Sequence, residues 1–590
     1  MSGAAALRPF AFLSTLLLPV PAQVPTDDAR NTEIPGTDTH FRMPEYRTLS
    51  EWEARRRDLR DQILFAAGLE PMPPKPPLRA EVFGRITQKD YSIDKVLLET
   101  RPGYWLGGNL YRPVGRAGKF PAVASPHGHW NYGRLEHGDL GSIPARCINL
   151  ARQGYIVFAY DMVGYNDTIQ TPHAFGGKIE QLWNFGPLGL QLWNSIRVVD
   201  YLASLDEVDA ARIGATGASG GGTQTFLLTA VDERVKFSAP VNMISAIMQG
   251  GSPCENAPGL RTGAFNVEFG AMMAPRPLLM VSATGDWTKN TLEEEFPAIK
   301  RIYELYGKAE MVEAVRIQAP HNYNRASREA MYRFFAKHAL GDTDTAKYEE
   351  RGIRPEKLQD MLALHNRALP AGALNYEGLL GQWQQWVRQQ TVAVTDPEER
   401  RRLLRLAIGA SWPGRVIDKV EGESIVISRP TVRDRVPGVW MPGKGRAALV
   451  IHPDGANAAK SSPRVRELTS AGRPVLLIDA FQTGSAVTQR NRSHGHFLTF
   501  NRSDDQLRVQ DILTALRWLE SKGSGPVDLI GLGRAAVWCH FAAALAPGKA
   551  KLDAGTNFQG TDQEFIDQFF VPGIRRAGGW AAAKALNALQ

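Results

Sequence analysis

The chain has 590 residues, 43% hydrophobic and 22% charged, the balance of an ordinary globular protein with room for two to four domains at about 150 residues each. Its formal charge of +8 is a small excess of 69 basic over 61 acidic residues spread along the whole length. The densest basic run, EERRRLLRL at 398–406, carries its own acids at helical spacing and reads as a solvated helix face, which argues against nucleic acid as a partner.

The N-terminal stretch places Arg8 before an apolar run from Phe10 to Leu18, followed by Val20-Pro21-Ala22. That is the layout of a secretory signal cleaved after Ala22, and it predicts a secreted or periplasmic protein. No later apolar run approaches the ~20 residues of a membrane span. The three cysteines, Cys147, Cys254 and Cys539, are odd in number and far apart, so they form neither a disulfide framework nor a recognisable zinc motif. No cofactor or metal is expected.

From residue 83 strands and helices alternate. FPAVASPHG (120–128) and GYIVFAYDMVG (154–164) are strand-like runs separated by a helix, ARCINLARQG; the helix NSIRVVDYLASL (194–205) then feeds ARIGATGASGGGTQTFLLTAV (211–231). Such alternation predicts a mostly parallel, doubly wound α/β sheet. Gly217-Ala218-Ser219-Gly220-Gly221 falls between the last strand and its helix. It is a G-x-S-x-G turn too tight for side chains two residues either side of the serine, and it strains the serine backbone so that the hydroxyl stands above the sheet.

Two further strand ends carry the partners such a serine requires. APRPLLMVSATGDWT (274–288) presents Asp286, and EAVRIQAP leads to His321 before a closing helix, SREAMYRFFAKHAL. A neutral imidazole takes the serine proton near pH 7, and a carboxylate fixes its tautomer. Ser219, Asp286 and His321 follow the Ser…Asp…His chain order of α/β-hydrolases. Backbone donors for an oxyanion are expected at Gly220 and in the loop Pro126-His127-Gly128-His129-Trp130, at His129 or its neighbour Gly128. His137 and Asp139 follow in this loop, but their spacing matches no common metal motif.

Residues 40–340 resemble the acetylxylan-esterase-like, dienelactone-hydrolase-related branch of the α/β-hydrolase superfamily. The resemblance rests on ASPHGHW, AYDMVGYNDT, TGASGGGTQT, APRPLLMVSATGDWT and APHNYNRASREAMYRFF, and CENAPGLR (254–261) is similar to a recurring piece of these esterases. It implies a serine esterase that forms an acyl-enzyme on an acylated carbohydrate or small ester. Glu255 is expected either to line the substrate pocket or to pair with Arg261, the latter being preferred. Trp130, Trp183, Trp193 and Trp287 offer flat faces for sugar rings or serve as packing anchors.

The second half repeats the first in worn form. ERRRLLRLAIGASWP matches DLRDQILFAAGLEP, AALVIHPDG matches FPAVASPHG, and GRPVLLIDAFQTG matches GYIVFAYDMVG, with seven positions from Gly to Asp in both (Gly154 to Asp161, Gly472 to Asp479). VDLIGLGRAAV then puts Gly533 where Ser219 stands. Such long-period similarity predicts a duplicated unit. Only 57 residues follow Gly533, too few for an acid strand and a base strand. The expected architecture is a signal peptide (1–22), a catalytic domain (40–340), a helical connector (341–396) and a truncated, catalytically incomplete α/β-hydrolase-like domain (397–590). General carboxylesterase, carbohydrate methylesterase and prolyl-oligopeptidase-like peptidase activities are the alternatives, with a non-catalytic binding module for the second half.

Overall fold

The computed structural model describes residues 23–589, so the expected secretion signal lies outside the described residues. Two sheets organise the chain. The first contains β1 (Arg79–Thr87), β2 (Tyr91–Arg101), β3 (Tyr104–Pro113), β4 (Phe120–Pro126), β5 (Ile156–Tyr160), β6 (Val208–Ala218), β7 (Val235–Val241), β8 (Leu278–Gly285) and β9 (Val312–Pro320), in the order β1-β2-β3-β5-β4-β6-β7-β8-β9. The β1–β2, β2–β3 and β3–β5 pairs are antiparallel. From β5 to β9 every pair is parallel.

The continuous apolar runs of the sequence follow from burial on both faces. Val123 and Val157 pack under the helices Ile143–Gln153 and Arg325–Phe335, while Ala122, Ala124, Ile156 and Phe158 pack under Pro187–Ser204 and Gly220–Val231. Local signals set the helix limits. The helix Ile143–Gln153 starts where the Ser142 side chain accepts the Ala145 N–H, and stops at Gly154, whose φ of 102° few other residues adopt.

The second sheet holds β10 (Ile417–Glu421), β11 (Ser424–Ser428), β12 (Val436–Met441), β13 (Ala448–Ile451), β14 (Val475–Ile478), β15 (Val527–Gly531) and β16 (Ala550–Asp553), ordered β10-β11-β12-β14-β13-β15-β16. Strand for strand this is the order of β1 to β7, with the same antiparallel start and parallel remainder. Among the described residues it has no counterparts of β8 and β9, the strands that deliver Asp286 and His321. Gly533, at the turn from β15 into the helix Ala535–Leu545, has φ 54°, beside 59° at Ser219.

The halves are not loosely strung together. One hydrophobic cluster runs from Trp52 and Phe65 through Trp383 and Leu404 to Trp538 and Phe569. An N-terminal arm reaches across to the second half, where Ala29 N–H donates to the Arg433 carbonyl (3.1 Å) and Arg30 pairs with buried Asp511. The basic run 398–406 is not a solvated face. It lies in the helix Pro397–Ile408, which buries Leu403, Leu404 and Ile408 and sends Arg402 to Asp61 and Glu70 of the first half.

The connector also departs from expectation. Its long helix is confined to Tyr376–Ala393, and much of 341–375 is a non-helical strap laid over the first half. Ala363 and Leu364 N–H donate to Asp167, and Leu374 N–H to the Gly103 carbonyl. With these backbone groups satisfied by the first half, that stretch does not need helical hydrogen bonds.

Candidate active site

Ser219 sits between β6 and the helix Gly220–Val231 with φ 59° and ψ −127°, a conformation that costs free energy for any residue bearing a Cβ. The surrounding glycines are sterically required. A Cβ on Gly217 would meet the Gly221 and Pro126 carbonyl oxygens at 2.6 Å, and one on Gly221 would meet the His127 carbonyl oxygen at 2.7 Å. The Ser219 N–H donates to the Val241 carbonyl (3.1 Å), and its own carbonyl accepts from Thr223, so the turn is held from both sides.

Asp286 stands just past β8 and His321 just past β9, and the parallel pairing of these strands brings them together. The Nδ1 of His321 lies 2.7 Å from Asp286 Oδ2. The other carboxylate oxygen accepts from Thr288 N–H (2.7 Å) and Thr288 Oγ1 (2.5 Å), so Asp286 cannot turn away. Nδ1–H therefore donates to the carboxylate and Nε2 keeps its lone pair. That Nε2 is buried and makes no hydrogen bond within the protein. Trp287 covers the imidazole with ring centroids 4.5 Å apart and is itself fixed by donation from Nε1 to the Asn242 carbonyl.

The loop after β4 closes over the serine. A Cβ on Gly128 would fall 2.6 Å from the Ala218 carbonyl oxygen and 3.1 Å from Ser219 Cβ, so only glycine lets this backbone approach Ser219. At Gly220 a Cβ would meet the His129 ring at 2.6 Å. Trp130 is half-buried beside Gly128, with Nε1 3.3 Å from where a Gly128 Cβ would stand.

Three residues that sequence reasoning missed hold this loop. His127 is fully buried; its Nε2 accepts the Met162 N–H (2.9 Å) and its Nδ1 donates to the Gly128 carbonyl (2.7 Å). Burial lowers its imidazole to about 3, so it stays neutral. Arg134, also fully buried, pairs with Asp161 and Asp167. Arg146 holds the end of β4 through Ser125 Oγ (2.8 Å) and the Pro126 carbonyl (3.3 Å). His127 was visible in the ASPHGHW stretch, but nothing in the sequence announced its burial.

Other expected contacts lie elsewhere. Trp183 is wedged between the halves: Nε1 donates to Asp562 (3.1 Å), its carbonyl accepts from Trp383 Nε1 (3.0 Å), and Arg388 and Arg575 lie over its ring. Trp193 is fully buried and donates to the Thr100 carbonyl. Neither presents a face to a sugar. Glu255 is buried and uses Oε2 to accept the Gly251 and Ser252 N–H groups, and Oε1 to accept from Thr223. Arg261 reaches the Glu255 backbone carbonyl, Asn256 and Asn266, so the expected pairing with the carboxylate does not form.

No family model matches the chain. It is 25% identical over 316 residues to the Bacillus subtilis (strain 168) protein named "Putative hydrolase YtaP", covering 48% of this chain and 99% of that one. Similar solved structures include Methylesterase BT1017 (28% identity, TM-score 0.47, 61% of this chain and 77% of that one). A glucuronoyl esterase from Solibacter usitatus (16%, 0.40, 52% and 99%) and an acetyl xylan esterase from Paenibacillus sp. R4 (18%, 0.34, 50% and 96%) are also similar. The first half of this chain thus resembles that hydrolase in sequence and carries a serine turn between a parallel strand and its helix.

Proposed function

We propose that the first half is a serine esterase that removes acetyl or similarly small acyl groups from xylan-type carbohydrate outside the cytoplasm. The observations that carry this reading are a strained Ser219 at the turn into its helix and an imidazole whose Nδ1 is committed to Asp286 and whose Nε2 has no partner within the protein. Ser219 Oγ attacks the ester carbonyl while His321 Nε2 takes its proton, and the imidazolium is stabilised by Asp286. The tetrahedral oxyanion is met by the Gly220 N–H at the open start of its helix and by an N–H at Gly128 or His129. His321 returns the proton to the leaving sugar oxygen. Water, deprotonated by the same nitrogen, then releases the acyl group from Ser219.

Trp130, half-buried beside Gly128, and Trp287, half-buried over His321, supply the aromatic faces for the sugar. The second half, residues 397–590, reads as a duplicate of the first that has lost its chemistry. The serine position is Gly533, and among the described residues the strand order stops before an acid or base strand. Its role is to brace the catalytic half through the shared core. The comparison that tests the substrate class sets acetate release from acetylated xylan beside methanol release from methyl-esterified pectin and turnover of a simple aliphatic ester. The highest kcat/KM is expected on acetylated xylan. Preference for methanol release would make the enzyme a methylesterase, and preference for the aliphatic ester a general carboxylesterase.

A further inference from the structure

Three loops of the first half bring His129, His173 and Cys254 together beside the serine turn, and the triad chemistry uses none of these side chains. His129 Nε2 lies 3.2 Å from His173 Nε2 and 3.1 Å from Cys254 Sγ, and all three atoms fall within 4.8 Å of one another. We propose that these side chains form a binding site for a divalent late transition-metal ion, zinc being the best match.

The spacing fits the ion. Tetrahedral zinc with Zn–N of about 2.0–2.1 Å and Zn–S of about 2.3 Å sets its nitrogen ligands about 3.3 Å apart and nitrogen and sulfur about 3.5 Å apart. The two edges at His129 lie within about 0.4 Å of those values, and the third, between His173 and Cys254, is no longer than 4.8 Å, a gap that small side-chain rotations close. Two imidazoles and a thiolate are also the ligand types zinc favours over calcium or magnesium. Among the described residues this is the one group of three or more His, Cys, Asp or Glu side chains with ligand atoms so close together.

Each ligand is oriented from behind. His173 Nδ1–H donates to the Val163 carbonyl at 2.7 Å, which fixes the tautomer and turns the Nε2 lone pair toward the cluster, the outer support that metal-binding histidines require. Cys254 sits in a short turn, Pro253–Glu255, locked by the Glu255 carboxylate on the Gly251 and Ser252 N–H groups. The His129 ring is backed by Gly220, where a Cβ would reach its Cε1 at 2.6 Å. His129 is exposed and Cys254 buried, so the ion has a route in and a desolvated sulfur to meet.

Hydrogen bonding alone serves this group poorly. With Nδ1 donating, His173 Nε2 has no proton, and one His129 N–H faces both that nitrogen and the sulfur. The single Ser252 hydroxyl lies at 3.4 Å from both the Cys254 thiol and His173 Nε2, longer than either contact of His129. A metal ion accepts all three lone pairs at once. Binding forms one M–S and two M–N bonds, breaks the Cys254 S–H bond and releases that proton to solvent; the fourth position is left to water.

The test uses the full chain, stripped with chelator and titrated with Zn2+ against a chromophoric competitor. One equivalent should bind with Kd below about 1 µM, and Co2+ should give a thiolate-to-metal charge-transfer band with the intense visible bands of a tetrahedral site. His173→Ala and Cys254→Ser should each weaken binding at least about 100-fold, and Cys254→Ser should also abolish the charge-transfer band. Should Cys254→Ser fail to fold, His129→Ala at the exposed ligand must show the same loss. Ser219→Ala should bind zinc as the wild type does, which separates this site from the esterase reading. Binding weaker than about 50 µM, or affinity retained in His129→Ala and His173→Ala, overturns the proposal.

Discussion

Gly128→Ala tests the placement of the oxyanion loop. An alanine Cβ there would lie 2.6 Å from the Ala218 carbonyl oxygen and 3.1 Å from Ser219 Cβ. Ordinary contacts of this kind begin near about 3.4 Å, so the loop must withdraw from the serine by about 0.5–0.8 Å. Neither obstacle can swing aside, because one is a backbone oxygen and the other is Cβ, fixed to the backbone. Displacement on the ångström scale costs about 100-fold in rate, and loss of one oxyanion donor costs about 100- to 1000-fold. The variant should therefore hydrolyse p-nitrophenyl acetate with kcat reduced about 30- to 300-fold and KM changed less than about threefold, since the donor acts in the transition state. Overpacking should cost about 1–3 kcal/mol of stability, readable in a urea titration. A folded Gly128→Ala enzyme with wild-type kcat would refute this account of the loop.

Asp286→Asn should lower kcat about 10³- to 10⁴-fold with little change in KM, because the amide leaves His321 in the wrong tautomer; steady-state kinetics on the same ester checks this. Trp183→Ala should cost about 3–5 kcal/mol of stability and leave KM for a xylan substrate unchanged, whereas a raised KM at unchanged stability would return Trp183 to the substrate. His127 supplies a pH signature. Its folded value of about 3 lies below the ordinary 6.5, so the unfolded chain binds the extra proton first and stability is lost as pH falls from about 6.5 toward 3. Urea titrations should show the stability deficit of His127→Asn shrinking by about 2 kcal/mol between pH 7 and pH 5, and a constant deficit would mean that His127 is not held neutral by burial.

What the sequence made legible was set by how local each signal is. The serine turn is a five-residue motif between a strand and a helix, and Asp286 and His321 each follow a recognisable strand, so order along the chain was enough to place all three at strand ends and to expect the contact between the last two. The second sheet has the strand order of β1 to β7, and the Gly-to-Asp spacings and β-rich runs were the local signals that pointed to it. Long-range partners were not legible. Trp183 stands in a loop like a sugar-binding aromatic, yet Asp562 and Arg575, nearly four hundred residues on, pull it into the join between halves. The 398–406 run looks solvated until Asp61 and Glu70 are brought against Arg402. His129, His173 and Cys254 lie 44 and 81 residues apart in turn, and three separate strand ends bring them together.

The central claim is that Ser219 is the nucleophile of the first half. Its most direct test is covalent capture: the full chain is treated with a fluorophosphonate, which labels serines activated by a neighbouring base. Intact-mass analysis followed by peptide mapping then counts and locates the label. The account predicts one label per chain, on the peptide containing Ser219, absent in Ser219→Ala and strongly slowed in His321→Ala. Label on another residue, or undiminished ester hydrolysis by Ser219→Ala, would contradict it.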